Sequence, residues 1–192
     1  MKKLYLLIMV IVLTAVMVVP TGGIFAAPPP LDNHQSIPVS GTYEVVSWPA
    51  DPSTMIIDWS NGDYIWPDNI LTSEMHGDLE GTYVVNVTYT GNIYDQHDYA
   101  WTGTESFQGT LMGRRLNYQA EVVGEGTFTD PLPPEGFAGT ESSVSTIVSA
   151  DSPFSHLRGV INFAGTFDEF ADPPIQNYSY SGELVWQTGK KH

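Results

Sequence analysis

From Val39 onward, apolar side chains recur at every second residue, and no stretch sustains the i, i+3, i+4, i+7 spacing of a helix face. Leu116, Tyr118, Ala120, Val122 and Phe128 share one side of an extended chain; Asn117, Gln119, Glu121, Glu125 and Thr127 share the other. Tyr83, Val85, Val87 and Tyr89 repeat the pattern against Thr82, Asn86 and Thr88. Tyr178, Tyr180, Leu184 and Trp186 repeat it against Asn177, Ser179, Glu183 and Gln187, and Ile161, Phe163 and Phe167 form a further apolar row. Strands that are dry on one side and wet on the other belong in antiparallel sheet. The alternation predicts eight of them, near 39–48, 70–76, 82–90, 98–108, 115–128, 138–149, 158–168 and 177–187.

Tight turns are expected at Gly77–Gly81 and Met112–Arg115, where glycine supplies the positive φ a hairpin needs. Longer loops are expected at Pro49–Asn69, Gly91–His97, Thr129–Phe137 and Glu169–Gln176. Eight meandering strands can bury their dry faces in a barrel or in a sandwich. Gly-Thr pairs starting at 41, 81, 103, 109, 126, 139 and 165 place glycines inside strands, where they permit the sharp coiling of a small closed barrel. The expected fold is therefore all-β: an eight-stranded antiparallel up-and-down barrel over residues 39–188.

What precedes it reads differently. Lys2 and Lys3 lead into an apolar run from Leu4 to Val19, ended by Pro20, Gly22 and Gly23. That is the form of a secretory signal over residues 1–26, cleaved after Gly23 or after Ala26. The run is shorter than the ~20 residues that span hydrocarbon; an uncleaved N-terminal anchor is the alternative. Either way the remainder is expected outside the cytoplasm, with no stable membrane insertion once the signal is removed. Residues 27–38, with Pro28, Pro29, Pro30 and Pro38, read as an extended linker, and 189–192 as a tail.

Charge and cysteine content narrow the function classes. Beyond Lys3 only five basic residues face all 22 acids, a net of −17. Such a surface cannot hold nucleic acid through counterion release, and it repels anionic membranes. With no cysteine there is no disulfide, thiol catalysis or thiolate metal site.

The stretch Gly103-Thr104-Glu105-Ser106-Phe107-Gln108-Gly109-Thr110-Leu111-Met112-Gly113-Arg114 resembles a G-x-E-x-x-x-G-T-L-x-G-R hairpin. That hairpin occurs in a family of small bacterial proteins of unknown function related in fold to allene oxide cyclase. The likeness continues in Gly77-Asp78-Leu79-Glu80-Gly81, Gly124-Glu125-Gly126-Thr127-Phe128 and Leu157-Arg158-Gly159 with Phe163 after it, and it runs from about Gly41 to Trp186. It implies a calycin-like eight-stranded barrel with a largely apolar interior. It implies no particular activity. Allene oxide cyclase steers a reactive fatty-acid epoxide into a cyclopentenone, and none of its active-site residues carries over to positions here. Ser152-Pro153-Phe154-Ser155-His156 replaces an expected glycine-rich turn, and the loops at 49–69 and 91–97 are long, so the rim departs from the family pattern.

Glu105 stands out among candidate catalytic residues. It shares the apolar face of its strand with Tyr99, Trp101, Gly103 and Phe107. Desolvation there would disfavour its charged form, the condition that poises a general acid or base. The structural alternative pairs it with Arg114, Arg158 or a tyrosine hydroxyl. Tyr83, Tyr99, Trp101, Tyr118, Tyr180 and Trp186 are candidate ligand-binding residues: inward rings that either pack as core or line a cavity for a flat or elongated apolar molecule. Asp78 and Glu80 read as turn chemistry. Asp95-Gln96-His97-Asp98 lacks the converging third and fourth groups of a metal site, so no metal and no cofactor is expected. No G-x-S-x-G elbow or phosphate-binding glycine loop is present. Asn86 and Asn177 begin glycosylation sequons. Two functions remain in contention: a secreted barrel that binds a small apolar ligand, with or without cofactor-free isomerisation or cyclisation, and a structural or interaction module of the cell envelope with a filled core.

Overall fold

The computed structural model describes residues 35–48, 51–95, 97–129, 138–169, 171 and 174–186. The expected signal, the linker as far as residue 34 and the tail lie outside the described residues. Among the described residues the regular structure is strand, apart from one 3-10 turn at Pro52–Thr54. In chain order the strands are β1 (Gln35–Ser47), β2 (Ile56–Ile57), β3 (Asp63–Gly77), β4 (Leu79–Asn92) and β5 (Asp98–Leu111). They continue as β6 (Arg114–Phe128), β7 (Ala138–Ala150), β8 (Leu157–Asp168) and β9 (Ile175–Trp186). Each strand from β3 to β9 pairs antiparallel with the next. β1 bridges β9 and β3 and closes the sheet into an eight-stranded barrel. The short β2 lies outside, on β3. Closure leaves the barrel proper without exposed edges except along residues 35–40 of β1.

Two segments depart from the expected boundaries. β1 begins at Gln35, inside the stretch expected as linker, because Ile37 is buried and the ladder to β9 starts at Gln35↔Trp186. Residues 35–40 pair on that side alone, so Pro38 sits on a stretch of strand with a free edge, where a missing donor is tolerated. β3 begins at Asp63, inside the expected loop 49–69. A bulge at Pro67 and Asp68, with Asp68 at φ 57°, sets two residues against Thr88 alone. It shifts the inward set from Tyr64 and Trp66 to Asn69, Leu71, Ser73 and Met75, so the run no longer alternates. Asn69 is buried and donates to the carbonyls of Trp66 (2.8 Å) and Pro67 (3.2 Å), which satisfies the acceptors the bulge frees.

The two ends of the barrel differ. One end carries the short connections and the terminal strand ends. There β5 turns into β6 through Met112 and Gly113 alone, both at positive φ (49° and 76°), the signature of a type I′ hairpin. At the neighbouring turn the Asp78 carboxylate accepts the Ser40 amide (2.9 Å), tying β3–β4 to β1 rather than to its own backbone. Leu79, Leu111, Leu116, Phe154, Leu157 and Leu184 are all 2% exposed or less and fill this end. The other end carries the longer connections, and its interior is not filled.

Candidate functional site

Inward residues near the open end are mostly aromatic, and their rings lie along the wall rather than across the lumen. Trp48, Trp66 and Tyr89 stand within 6.3 Å of one another, centroid to centroid. Tyr89 leads to Tyr99 at 6.1 Å, Tyr99 to Phe128 at 4.7 Å, and Phe128 to Phe167 at 6.0 Å. Below this girdle Tyr43 stacks on Tyr178 at 4.8 Å and meets Phe163 edge-on at 5.4 Å. The girdle and Tyr178 wall a cavity of about 310 Å³ that opens at the rim. That volume is at the lower end of the range of small-molecule sites.

Glu141 on β7 is a wall residue of this cavity. Burial among the rings pushes its carboxyl up to about 7, and the Tyr99 hydroxyl beside it offsets part of the rise. At neutral pH it is therefore close to half-ionised, able to give or take a proton or to face a positive charge. Asp98 and Glu169 stand at the cavity rim. Asp98 accepts a bond from Thr127 (2.8 Å), and Glu169 from the Gln176 amide (2.8 Å). Among the described residues no Lys, Arg or His lines the cavity.

Glu105 lies elsewhere. It is 2% exposed, deeper in the barrel between β4 and β6, opposite Val85 and Ala120. Tyr83 donates to its Oε2 at 2.6 Å and Ser145 donates to the same oxygen. Neither Oε1 nor the buried Tyr118 hydroxyl has a hydrogen bond. Its partners are thus hydroxyls rather than Arg114 or Arg158; Arg158 donates to the Leu157 carbonyl (2.6 Å). Desolvation raises the Glu105 carboxyl to about 7 against the lowering effect of the bonded Ser145 and Tyr83 hydroxyls. The group is a buried acid within the packed half.

The six rings singled out from the sequence separate accordingly. Tyr99 lines the cavity, and Trp101 backs it, stacked on Tyr99 at 5.7 Å. Tyr83 and Tyr118 belong to the Glu105 cluster, with Tyr118 stacked on Phe107 at 5.1 Å. Tyr180 is buried at the closed half, where its hydroxyl accepts the Leu79 amide (2.8 Å) and lies 3.3 Å from the His76 carbonyl, bracing the β3–β4 turn. Trp186 ends β9 at the closed end, between Gln35 and Leu157. Alternation missed Glu141 because β7 reverses the usual pattern. Its inward side reads Gly139, Glu141, Ser143 and Ser145, while Val144 and Val148 are exposed. Tyr64, Trp66 and Trp48 were missed because they fall in the stretch expected as loop or at its edge. Asn86 and Asn177 are exposed on the outer face. Among the described residues no group of three His, Asp or Glu is placed to hold a metal ion.

Comparison with known proteins supports the fold. No family model matches the chain, and no curated protein does. A solved structure of a protein of unknown function of the DUF3224 family, from Shewanella oneidensis MR-1, superposes with a TM-score of 0.51. The two are 13% identical, over 81% of this chain and all of that one. This likeness supports the barrel and a neighbour of unknown function; it shows no likeness to allene oxide cyclase.

Proposed function

We propose that this chain is an exported binding barrel that holds one small molecule with an apolar body in the cavity at its open end. The observation that carries the reading is the half-and-half interior: one end packed to closure, the other hollow and walled by rings. Voids of this size are uncommon in close-packed interiors, and large ones mark ligand sites. Isomerisation of the bound molecule without a cofactor is a second reading. It is favoured by the cavity-facing Glu141, whose carboxyl near 7 suits proton transfer at neutral pH, and it assigns no proton transfer to Glu105. Export rests on the first 26 residues, and cell fractionation of the full chain against a chain begun at Ala27 tests it.

A native mass spectrum of the protein purified from its source tests the binding reading. The expected result is a retained small-molecule mass that is lost in Leu71→Trp, which fills the cavity from β3. A bare chain mass for the natural protein, or a retained mass unaffected by Leu71→Trp, would refute it.

A further inference from the structure

We propose that the cavity is built for an organic cation, a quaternary ammonium or protonated amine on an apolar body, with its charge between Glu141 and the aromatic walls. The inference rests on the binding reading above and names the chemical class of its ligand.

Three independent features point to a positive charge. The first is the wall itself. Trp48, Trp66, Tyr89 and Tyr99 line the space, with the Tyr99 ring lying over Gly126 on the wall, and aromatic quadrupoles attract a cation, most strongly where water is excluded. The second is the sign of the charged groups. Glu141 lies inside, Asp98 and Glu169 at the rim, and among the described residues no basic side chain lines the cavity. A buried carboxylate is a standing cost unless it gains a partner. An anionic ligand would meet three carboxylates, and a neutral hydrocarbon would leave Glu141 without a counter-charge.

The third is the long-range field. All three arginines lie at the closed end: Arg114 and Arg115 follow the β5–β6 turn, and Arg158 opens β8. Around the open end the connections carry Asp51, Asp58, Asp63, Asp95, Asp98 and Glu169. Asp78, Glu80 and Asp151 accompany the arginines at the closed end, so acid outweighs base most at the cavity mouth, an arrangement that steers cations toward it at low salt.

The proposal also predicts how affinity changes with pH. Tyr99 on β5 lies beside Glu141; Tyr43, Tyr89 and Tyr178 from β1, β4 and β9 stand near enough to feel its charge, and burial holds all four neutral. Asp98 and Glu169 are the other charged groups at the cavity. Glu141 is accordingly the group whose ionisation changes near neutrality, and a cation should bind more tightly as it loses its proton.

The test compares phenyltrimethylammonium with its neutral carbon isostere tert-butylbenzene, followed by NMR shifts of the cavity aromatics in the full exported chain. The cation should bind at least tenfold more tightly at pH 8 than the isostere. Its affinity should fall several-fold from pH 8 to pH 6, while that of the isostere stays level. Glu141→Gln should erase the preference and the pH dependence but leave tert-butylbenzene binding intact, which also shows that the variant is folded. Binding of the isostere with equal or greater affinity overturns the cation assignment and leaves the binding reading standing. Shifts from neither compound overturn both.

Discussion

Replacing Glu105 by glutamine should stabilise the protein, and increasingly so as pH rises. Burial lifts the Glu105 carboxyl from 4.5 to about 7. An acid with a raised folded-state pKa holds its proton more tightly when folded. Its favourable contribution is therefore complete below pH 4.5 and is lost as pH climbs through 7. At 1.36 kcal/mol per pKa unit, the loss by pH 8 is about 3 kcal/mol, most of it developing above pH 5. Glutamine keeps the shape and stays neutral. Its amide oxygen can accept from Tyr83 and Ser145, and its NH2 points where the unpartnered Oε1 and Tyr118 hydroxyl now stand. Glu105→Gln should thus match the parent within ~1 kcal/mol near pH 5 and exceed it by about 3 kcal/mol at pH 8. For a chain of this size that corresponds to roughly 6–12 °C in Tm. Glu141 titrates in the same range but is common to both proteins, so it cancels from the difference. Urea melts of both forms at half-unit intervals from pH 5 to 8.5 measure the curve. A variant that grows less stable with rising pH, or a 13C titration placing Glu105 below 4.5, would show an ionised strut and refute the reasoning.

Two further expectations concern the backbone. Met112 occupies the first central position of a type I′ turn at φ 49°, a conformation that asparagine tolerates far better; Met112→Asn should raise stability by about 1 kcal/mol in a denaturant melt. Alanine at Gly103 would place Cβ 2.1 Å from the Asn86 carbonyl oxygen and 2.8 Å from the Val87 Cα, backbone that cannot step aside, so Gly103→Ala should cost about 3 kcal/mol. At Gly126 the added Cβ meets only the end of the Tyr99 ring, 2.2 Å from Cζ. Gly126→Ala should therefore cost nearer 1 kcal/mol but push Tyr99 into the cavity, a loss of volume that weakened tert-butylbenzene binding would register.

The strands that could be read from the sequence are those with an unbroken phase. β4, β5, β6, β8 and β9 each keep one inward parity, because both neighbours pair along their length and the interior accepts only one face. The remainder failed for two physical reasons. Bulges in β1, β3 and β7 insert residues that switch parity, so Trp66 and Leu71 point inward although an odd number of positions separates them. β7 turns the polar residues Glu141, Ser143 and Ser145 inward, so the rule that dry means inside selects the wrong side there. Glu105 was found because its own strand alternates cleanly. A tyrosine hydroxyl was among the partners expected, and Tyr83 supplies it; Ser145 was not, because it reaches Glu105 from β7, two strands away around the barrel, and no local pattern carries that distance.

The hollow end follows from where the glycines fall. At the closed end, inward leucines and Phe154 project into the lumen and meet. At the open end a ring and a glycine sit side by side on adjacent strands: Tyr99 beside Gly126, Trp101 beside Gly124, Tyr178 beside Gly165 and Tyr64 beside Gly91. In each pair a Cβ on the glycine would fall within 2.7 Å of the ring. Each ring therefore lies over the place its neighbour's side chain would have taken. It rests along the wall because that space is vacant, buries its area against backbone, and leaves the axis empty. Larger residues at these four glycines would turn the rings inward and close the cavity with the barrel otherwise unchanged. The space is thus a consequence of which residues flank the aromatics rather than of barrel size. Eight strands alone allow either a filled or a hollow interior, and this chain has built one of each, end to end.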